Sequence, residues 1–339
     1  MTMPHQFEFS NGKRFAFTIV DDTDVATVAN VKPVYELLHE LGFRTTKTLW
    51  PVGCPEGSQD FSSSQTLEDA DYRAFAVDLQ QRGFEVTWHG ATMETSPRVR
   101  TIGALHRFHE IFGEYPRIHV NHALNRENVY WGAGRLDSRM LRAVFGRFTG
   151  RPAEYFTGHI EDSPLWWGDL CAKYVVYGRN LTTNDINTAR FNPSMPYRDP
   201  QRPLIPWWFS ASDAEGVEEF NELIHPRQQE RLQRDGGFCI VATHFGKDFV
   251  RHGVLNPVTI ARLEELSRRP GWFPTTGQLL DWLRARREAA SGSTGSLPAP
   301  EWRRMQWRFA IDLASRKLRR RKSQKRMISH NSGAERFPR

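Results

Sequence analysis

Cysteine is scarce in this chain, and its scarcity narrows the field. Cys54, Cys171 and Cys239 are the only three in 339 residues. An odd number without paired spacing excludes a disulfide framework and a cysteine-bound structural zinc, and points to a reducing compartment. Long apolar runs are missing too. Nothing approaches the roughly 18 consecutive apolar residues of a membrane span, and the opening MTMPHQFEFSNGKRF lacks the continuous apolar core of a secretory leader. A soluble, cytoplasmic protein is expected. The body also lacks positive charge: residues 291–339 hold 13 Lys and Arg against 3 Asp and Glu, leaving 33 against 36 in the first 290. A slightly acidic body offers no basic face for nucleic acid, so no such partner is expected.

What is present suggests one large unit followed by an extension. With 39% hydrophobic residues, residues 1–290 can bury a single core of the size usual for a β/α barrel. The stretch SGSTGSLPAP at 291–300 reads as a linker. In the extension 301–339, Trp302, Met305, Phe309 and Leu313 share one helical stripe ahead of RKLRRRKSQKR. That combination suits peripheral contact with the anionic inner face of a membrane, and a solvated disordered tail is the alternative.

Within the body, strand-like and helix-like segments alternate, which implies parallel pairing. FAFTIV, RTTKTLWPV, FEVTW, RIHVN and FCIVAT read as strands. VANVKPVYELLHELG, TLEDADYRAFAVDLQQRG, SPRVRTIGALHRFHEIFG (with Ser96 as N-cap and Pro97 in the first turn), NPVTIARLEELSRR and TTGQLLDWLRARREA read as helices. Between about 150 and 235 the pattern loosens into Trp-, Pro- and Asn-rich sequence, expected to be an irregular insertion that builds a binding surface.

Four of the strands stop on residues that bind metal or move protons: Asp21 and Asp22, His89, His122, and His244. In a β/α barrel the C-terminal strand ends converge on one face, so these side chains would share a pocket. Asp21 and Asp22 project to opposite sides of a strand, so one could ligate a cation while the other takes a proton from water. His89 precedes Gly90, which permits a sharp turn beside the imidazole. His119 and His122 differ by an odd number of positions and cannot both face one site; His122, at the strand end, is favoured. Trp131, Trp166 and Trp167, with Trp207 and Trp208, could stack on sugar faces, the rival reading being core packing.

The order strand–Asp–Asp, strand–His, a loop-forming third motif and a late strand ending in Thr-His resembles the polysaccharide deacetylase (NodB-homology) superfamily over about residues 10–288. HVNHALNRENVYWG, GHIEDSPLWWGDL, NPSMPYRDPQRP and ATHFG resemble its WbmS-like branch. The resemblance implies a distorted (β/α) barrel of about seven parallel strands that removes acetyl groups from N-acetylated sugars with a divalent metal. Zinc is the first choice, and manganese, cobalt and nickel are alternatives. It implies Asp21 as general base, Asp22 and His89 as metal ligands, and His244 as general acid. The family's second ligating imidazole is replaced here by Met93 or Glu94, so His122 is expected as third ligand, Glu94 being next. The third motif's usual Arg-x-Pro is absent, although Arg126 in the loop after His122 could supply a cation, and Asn121, Arg126, Trp131, Trp166 and Trp167 are the expected substrate contacts. The implied function is carbohydrate N-deacetylation in bacterial surface-polysaccharide biosynthesis, on a nucleotide- or lipid-linked sugar. The alternative is a catalytically silent barrel that binds a sugar or an assembly partner.

Overall fold

The computed structural model describes Phe7, Phe9, residues 12–58 and 64–291, Gly295, Pro298 and residues 301–316. Most of the expected linker, and the tail beyond Arg316, lie outside these residues. Seven parallel strands follow one another around a closed barrel: β1 (Phe15–Asp21), β2 (Thr46–Leu49), β3 (Glu85–Trp88), β4 (Ile118–His119), β5 (Tyr177–Thr183), β6 (Trp207–Asp213) and β7 (Phe238–Thr243), with β7 pairing back onto β1. Helices α1 (Val28–Glu40), α2 (Ala70–Gln81) and α3 (Arg98–Phe112) cross over between the first four strands. The smaller α4 (Arg139–Thr149), α5 (Gly168–Tyr174), α6 (Thr188–Phe191), α7 (Val217–Leu223) and α8 (Pro226–Asp235) follow. A two-stranded ribbon, β8 (Val250–Arg251) and β9 (Val254–Leu255), leads to α9 (Pro257–Ser267). A short β10 (Gly271–Trp272) pairs with the first residues of β1, and α10 (Thr276–Ser291) follows it.

Strand periodicity decides which residues face the helices and which face the interior. Phe15, Phe17 and Ile19 pack with Val31, Val34, Tyr35 and Leu38 of α1. Ala16 and Val20 join Phe209, Ala211, Ile240 and Ala242, with Leu279, Leu280 and Leu283 of α10, to fill the inside. Thr27 caps α1 in a reciprocal bond with Asn30. At α3 the start falls one residue later than expected: Pro97 is itself the cap position, without a side-chain bond, and Ser96 turns its hydroxyl to the Glu94 carbonyl.

The segment 150–235 is less irregular than its composition suggests, since it supplies β5 and β6 as well as α5 to α8. Its strands YGRNLTT and WWFSASD are buried almost throughout. They escape pattern recognition because polar side chains, Arg179 among them, occupy the interior positions where apolar ones would mark a strand. Trp207 and Trp208 therefore belong to β6, and both are buried.

Residues 301–316 form a helix that lies against the ends of β5 and β6. Asp312 accepts from Thr183 Oγ1 at 2.7 Å and from the Asn184 amide at 3.1 Å, while Arg316 reaches Asp213 at 3.2 Å. Met305 and Phe309 are buried, and the stripe expected to meet a membrane packs on the barrel instead. No helix among the described residues is long and apolar enough to cross a membrane.

Candidate active site

Asp21 continues the outward register of Phe17 and Ile19 and ends among the helices rather than in the barrel mouth. Its carboxylate, fully buried, meets Lys47 Nζ at 2.9 Å, and it accepts from Tyr35 Oη at 3.0 Å and from the Phe245 amide at 2.8 Å. Burial pushes this carboxyl up, against the pull of Lys47. A carboxylate so enclosed cannot reach a substrate, and the base expected at this position is instead a structural ion pair.

Asp22, on the opposite side, faces inward. Both its oxygens are gripped by Arg179 of β5, at 2.9 and 2.5 Å. Burial opposes ionisation here, but Arg179, aided by His89 and His244, holds the carboxyl below its ordinary range. The guanidinium occupies one lone pair on each oxygen and would compete with a cation, a poor arrangement for the metal ligand that Asp22 was expected to be, although acceptor capacity for a proton remains. The cation beside this carboxylate is Arg179, not Arg126, which is exposed with its guanidinium 5.7 Å from the centre of the Tyr155 ring.

The residue that gathers the histidines is Asp24, two positions further on. His89 Nε2 and His122 Nε2 approach its Oδ1 at 3.5 and 3.6 Å, and His244 Nε2 approaches its Oδ2 at 3.2 Å. Oδ1 is buried without a hydrogen-bond partner. Burial would raise this carboxyl, yet His244 and His89 hold it well below the usual carboxylate range. The loop that delivers Asp24 is firmly built. The Thr23 amide donates to Thr48 Oγ1 at 3.0 Å, and Asn30 Nδ2 donates to the Val25 carbonyl at 2.8 Å. Val25 has a φ of 53°, costly for a β-branched residue and tolerated where surroundings impose it. Gly246 leaves the room, since a Cβ there would come within 2.7 Å of the Val25 carbonyl.

Each histidine is oriented from behind. Asn125 Nδ2 faces three acceptors, the carbonyls of Thr92 and Glu94 at 2.8 and 3.0 Å and Glu127 Oε1 at 2.8 Å. Its Oδ1 is therefore the atom 2.8 Å from His122 Nδ1, and must accept from it. This leaves the His122 Nε2 lone pair facing Asp24, and burial lowers the pKa of this imidazole, favouring its neutral form. His244 Nδ1 lies 2.8 Å from the Glu215 carbonyl. With both its nitrogens facing acceptors, the ring is arranged as a proton donor. His89 stands beside Gly90, whose φ of 120° makes the turn. Trp50 walls off both imidazoles, with ring centres 5.9 Å from His89 and 5.6 Å from His122.

The remaining expected residues have other partners. His119 is buried in β4 with Nε2 2.8 Å from Asn121 Oδ1, and Asn121 also holds Val129, so it braces the loop rather than lining a pocket. Trp167 is a core residue whose Nε1 donates to the Glu127 carbonyl at 2.7 Å; no face is free for a sugar. Trp166 is half-buried and its carbonyl accepts from Arg98, while Trp131 is stacked by the Arg135 guanidinium, 4.0 Å from its ring centre. Glu94 is turned away to Arg100 at 2.7 Å, and Met93 is buried. Sequence reading missed Asp24 and Arg179. The DDTD run contained a signal for the first, because a third acid on a turn after a strand end is a donor as well as a cap; nothing marked the second.

Among the described residues, no three His, Cys, Asp or Glu side chains form a ready-made metal cage. The donor types and pairwise spacings around Asp24 nonetheless suit a divalent cation. Two donors of a tetrahedral site with bonds of about 2.1 Å stand about 3.4 Å apart, close to the two separations observed from Asp24 Oδ1.

No protein-family model matches the sequence, and no curated protein matches it. Among solved structures, the chain is similar to the allantoinase PuuE (12% identity, 86% of this chain and 96% of that one, TM-score 0.48). It is also similar to the catalytic domain of a peptidoglycan N-acetylglucosamine deacetylase from Eubacterium rectale (12%, 80% and 94%, 0.39). A third likeness is a family 4 acetyl xylan esterase from Clostridium thermocellum in complex with a cobalt ion (12%, 79% and 92%, 0.38). These are distant likenesses, and side-chain roles in this chain rest on its own geometry.

Proposed function

We propose that this barrel is a metal-dependent carbohydrate N-deacetylase of surface-glycan assembly, acting on a nucleotide- or lipid-linked N-acetylated sugar. The observation that carries the reading is the buried Asp24 Oδ1, which has no hydrogen bond and faces the Nε2 atoms of His89 and His122 at 3.5 and 3.6 Å. One anionic oxygen and two imidazoles are the donor set of a hydrolytic divalent cation, with zinc favoured. When bound, such a cation supplies Lewis acidity toward an amide carbonyl.

The protein's own groups complete the chemistry. Asp22, kept ionised by Arg179, takes the proton of the attacking water. His244, 3.9 Å from Asp22 and 3.2 Å from Asp24, gives a proton to the nitrogen as the C–N bond breaks, releasing acetate and an amine. Compared with the sequence expectation, the base moves from Asp21 to Asp22 and the ligating carboxylate from Asp22 to Asp24.

The test is metal content and acetate release with an N-acetylhexosamine linked to a nucleotide or a polyprenyl phosphate. About one equivalent of metal, with acetate produced and both lost in Asp24→Ala, is the expected result. Protein that stays metal-free after incubation with zinc, manganese, cobalt or nickel, and yields no acetate, would leave the silent sugar-binding barrel as the reading.

A further inference from the structure

A cavity of about 640 Å³ lies away from the Asp24 cluster, lined by residues of 137–141, 197–201 and 302–307, among them Asp137, Leu141, Arg198, Asp199, Arg303 and Trp307. Around it the surface has an unusual composition. Nine large apolar side chains are exposed among the described residues, and four of them, Met140, Val144, Trp307 and Ile311, belong to just two helices. Each pair has i,i+4 spacing, so each forms a short outward stripe. The two helices are neighbours. Phe145 of α4 stacks on Phe309, with ring centres 6.2 Å apart, and Leu141 and Trp307 line the same cavity.

The same outward faces carry Arg139 and Arg147 on α4 and Arg303 and Arg304 on the 301–316 helix, all exposed. None of these four has a carboxylate within 4.0 Å among the described residues, whereas Arg308 next to them is paired with Asp312 at 3.1 Å. Exposed apolar residues interspersed with unneutralised arginines are costly in water and suited to one surface, the headgroup region of an anionic bilayer. Nucleic acid would use the arginines but not Trp307, Ile311, Met140 and Val144. In sequence, the 23 residues after Arg316 add nine Lys and Arg against one Glu, continuing the positive charge from the end of this helix.

We infer that the joint outer face of α4 and the 301–316 helix docks on an anionic lipid bilayer, with Trp307, Ile311, Met140 and Val144 inserted and the four arginines at the phosphates. The lipid-facing stripe is thus the reverse of the one expected from sequence, because Met305 and Phe309 are spent on the barrel. Docking this way holds the ends of β5 and β6 near the bilayer. The inference stands apart from the reading of the Asp24 site and survives its failure.

The experiment is flotation of the full chain with vesicles of phosphatidylcholine, with and without phosphatidylglycerol. Binding to anionic vesicles only is expected, weakened at least about tenfold by Trp307→Ser with Ile311→Ser, and roughly fivefold by each of Arg303→Gln and Arg304→Gln. All four side chains lie on the surface, so melting temperatures should hold. Brominated lipid should quench tryptophan emission in the wild type, and less in Trp307→Phe. Vesicle binding that survives Trp307→Ser with Ile311→Ser and disappears on removal of residues 317–339 would overturn the inference. So would absence of bromine quenching, or affinity for a DNA duplex that exceeds affinity for vesicles and ignores the apolar substitutions.

Discussion

Arg179 grips Asp22 through two nitrogens, at 2.9 and 2.5 Å, across 157 positions of sequence and in a nearly water-free barrel mouth. Removing one partner of such a pair leaves a buried charge uncompensated, at a cost of about 3–5 kcal/mol. Arg179→Ala should therefore lower unfolding free energy by about that amount in urea titrations and cut acetate release at least about 100-fold, the proposed base being displaced. Arg179→Lys keeps the charge but loses the planar two-point grip, and should recover much of the stability but little of the turnover. Equal recovery of both would mean that charge alone matters.

The Asp21–Lys47 pair obeys the same electrostatics with a different outcome. Both side chains are fully buried, and neither touches the Asp24 cluster. Asp21→Asn or Lys47→Met alone should destabilise by about 3–5 kcal/mol, while the double variant should be less destabilised than either, since no orphan charge remains. Stable double-variant protein should still bind metal, measured by titration calorimetry. Loss of metal binding there would return Asp21 to the active site.

How much of this was legible in sequence follows from what each residue faces. β1 and β7 are read correctly because their alternate residues meet apolar neighbours on both sides, giving near-continuous apolar runs. β5 is not, because the charged Arg179 takes an inward position of the strand and the polar Asn180 the next one, where it bonds Tyr197 Oη at 3.1 Å, so no apolar alternation marks the segment. His89, His122 and His244 are found because strand ends point to a common mouth. Asp24 is not, because it reaches that mouth from a loop held locally by Asn30 and, from segments far away in sequence, by Thr48 and Gly246. The stripe Trp302, Met305, Phe309 and Leu313 is a true amphipathic signal read for the wrong partner: periodicity reports a buried face, not what buries it.

Glu127 and His119 give opposite pH signatures. Burial pushes the Glu127 carboxyl up to about 7, so the folded state holds a proton that the unfolded state releases near 4.5. Its contribution is present at low pH and lost as pH rises through that window, about 3 kcal/mol in all. Burial lowers His119 to about 4 from 6.5, so the folded state refuses a proton that the unfolded state takes up; stability here rises with pH over that range by a similar amount. The two nearly cancel between about pH 4.5 and 6.5. Glu127→Gln should remove one arm, leaving urea midpoints that climb more steeply over that interval than in the wild type. Parallel profiles would show that Glu127 ionises normally.

Asn125 offers the sharpest test of how the imidazoles are set. Its amide is locked by three acceptors, so its oxygen fixes the Nδ1–H tautomer of His122 and leaves Nε2 free to donate electrons. Asn125→Asp retains an acceptor for Nδ1 but places a carboxylate against the Thr92 and Glu94 carbonyls and against Glu127. Asn125→Leu removes the acceptor outright. Loss of such a supporting bond costs roughly 10–100-fold in metal affinity. Zinc titrations should show that loss for Asn125→Leu, together with a changed visible spectrum in cobalt-loaded protein, because the ring can then rotate or switch tautomer. A leucine variant with unchanged zinc affinity and cobalt spectrum would show that His122 is not among the ligands.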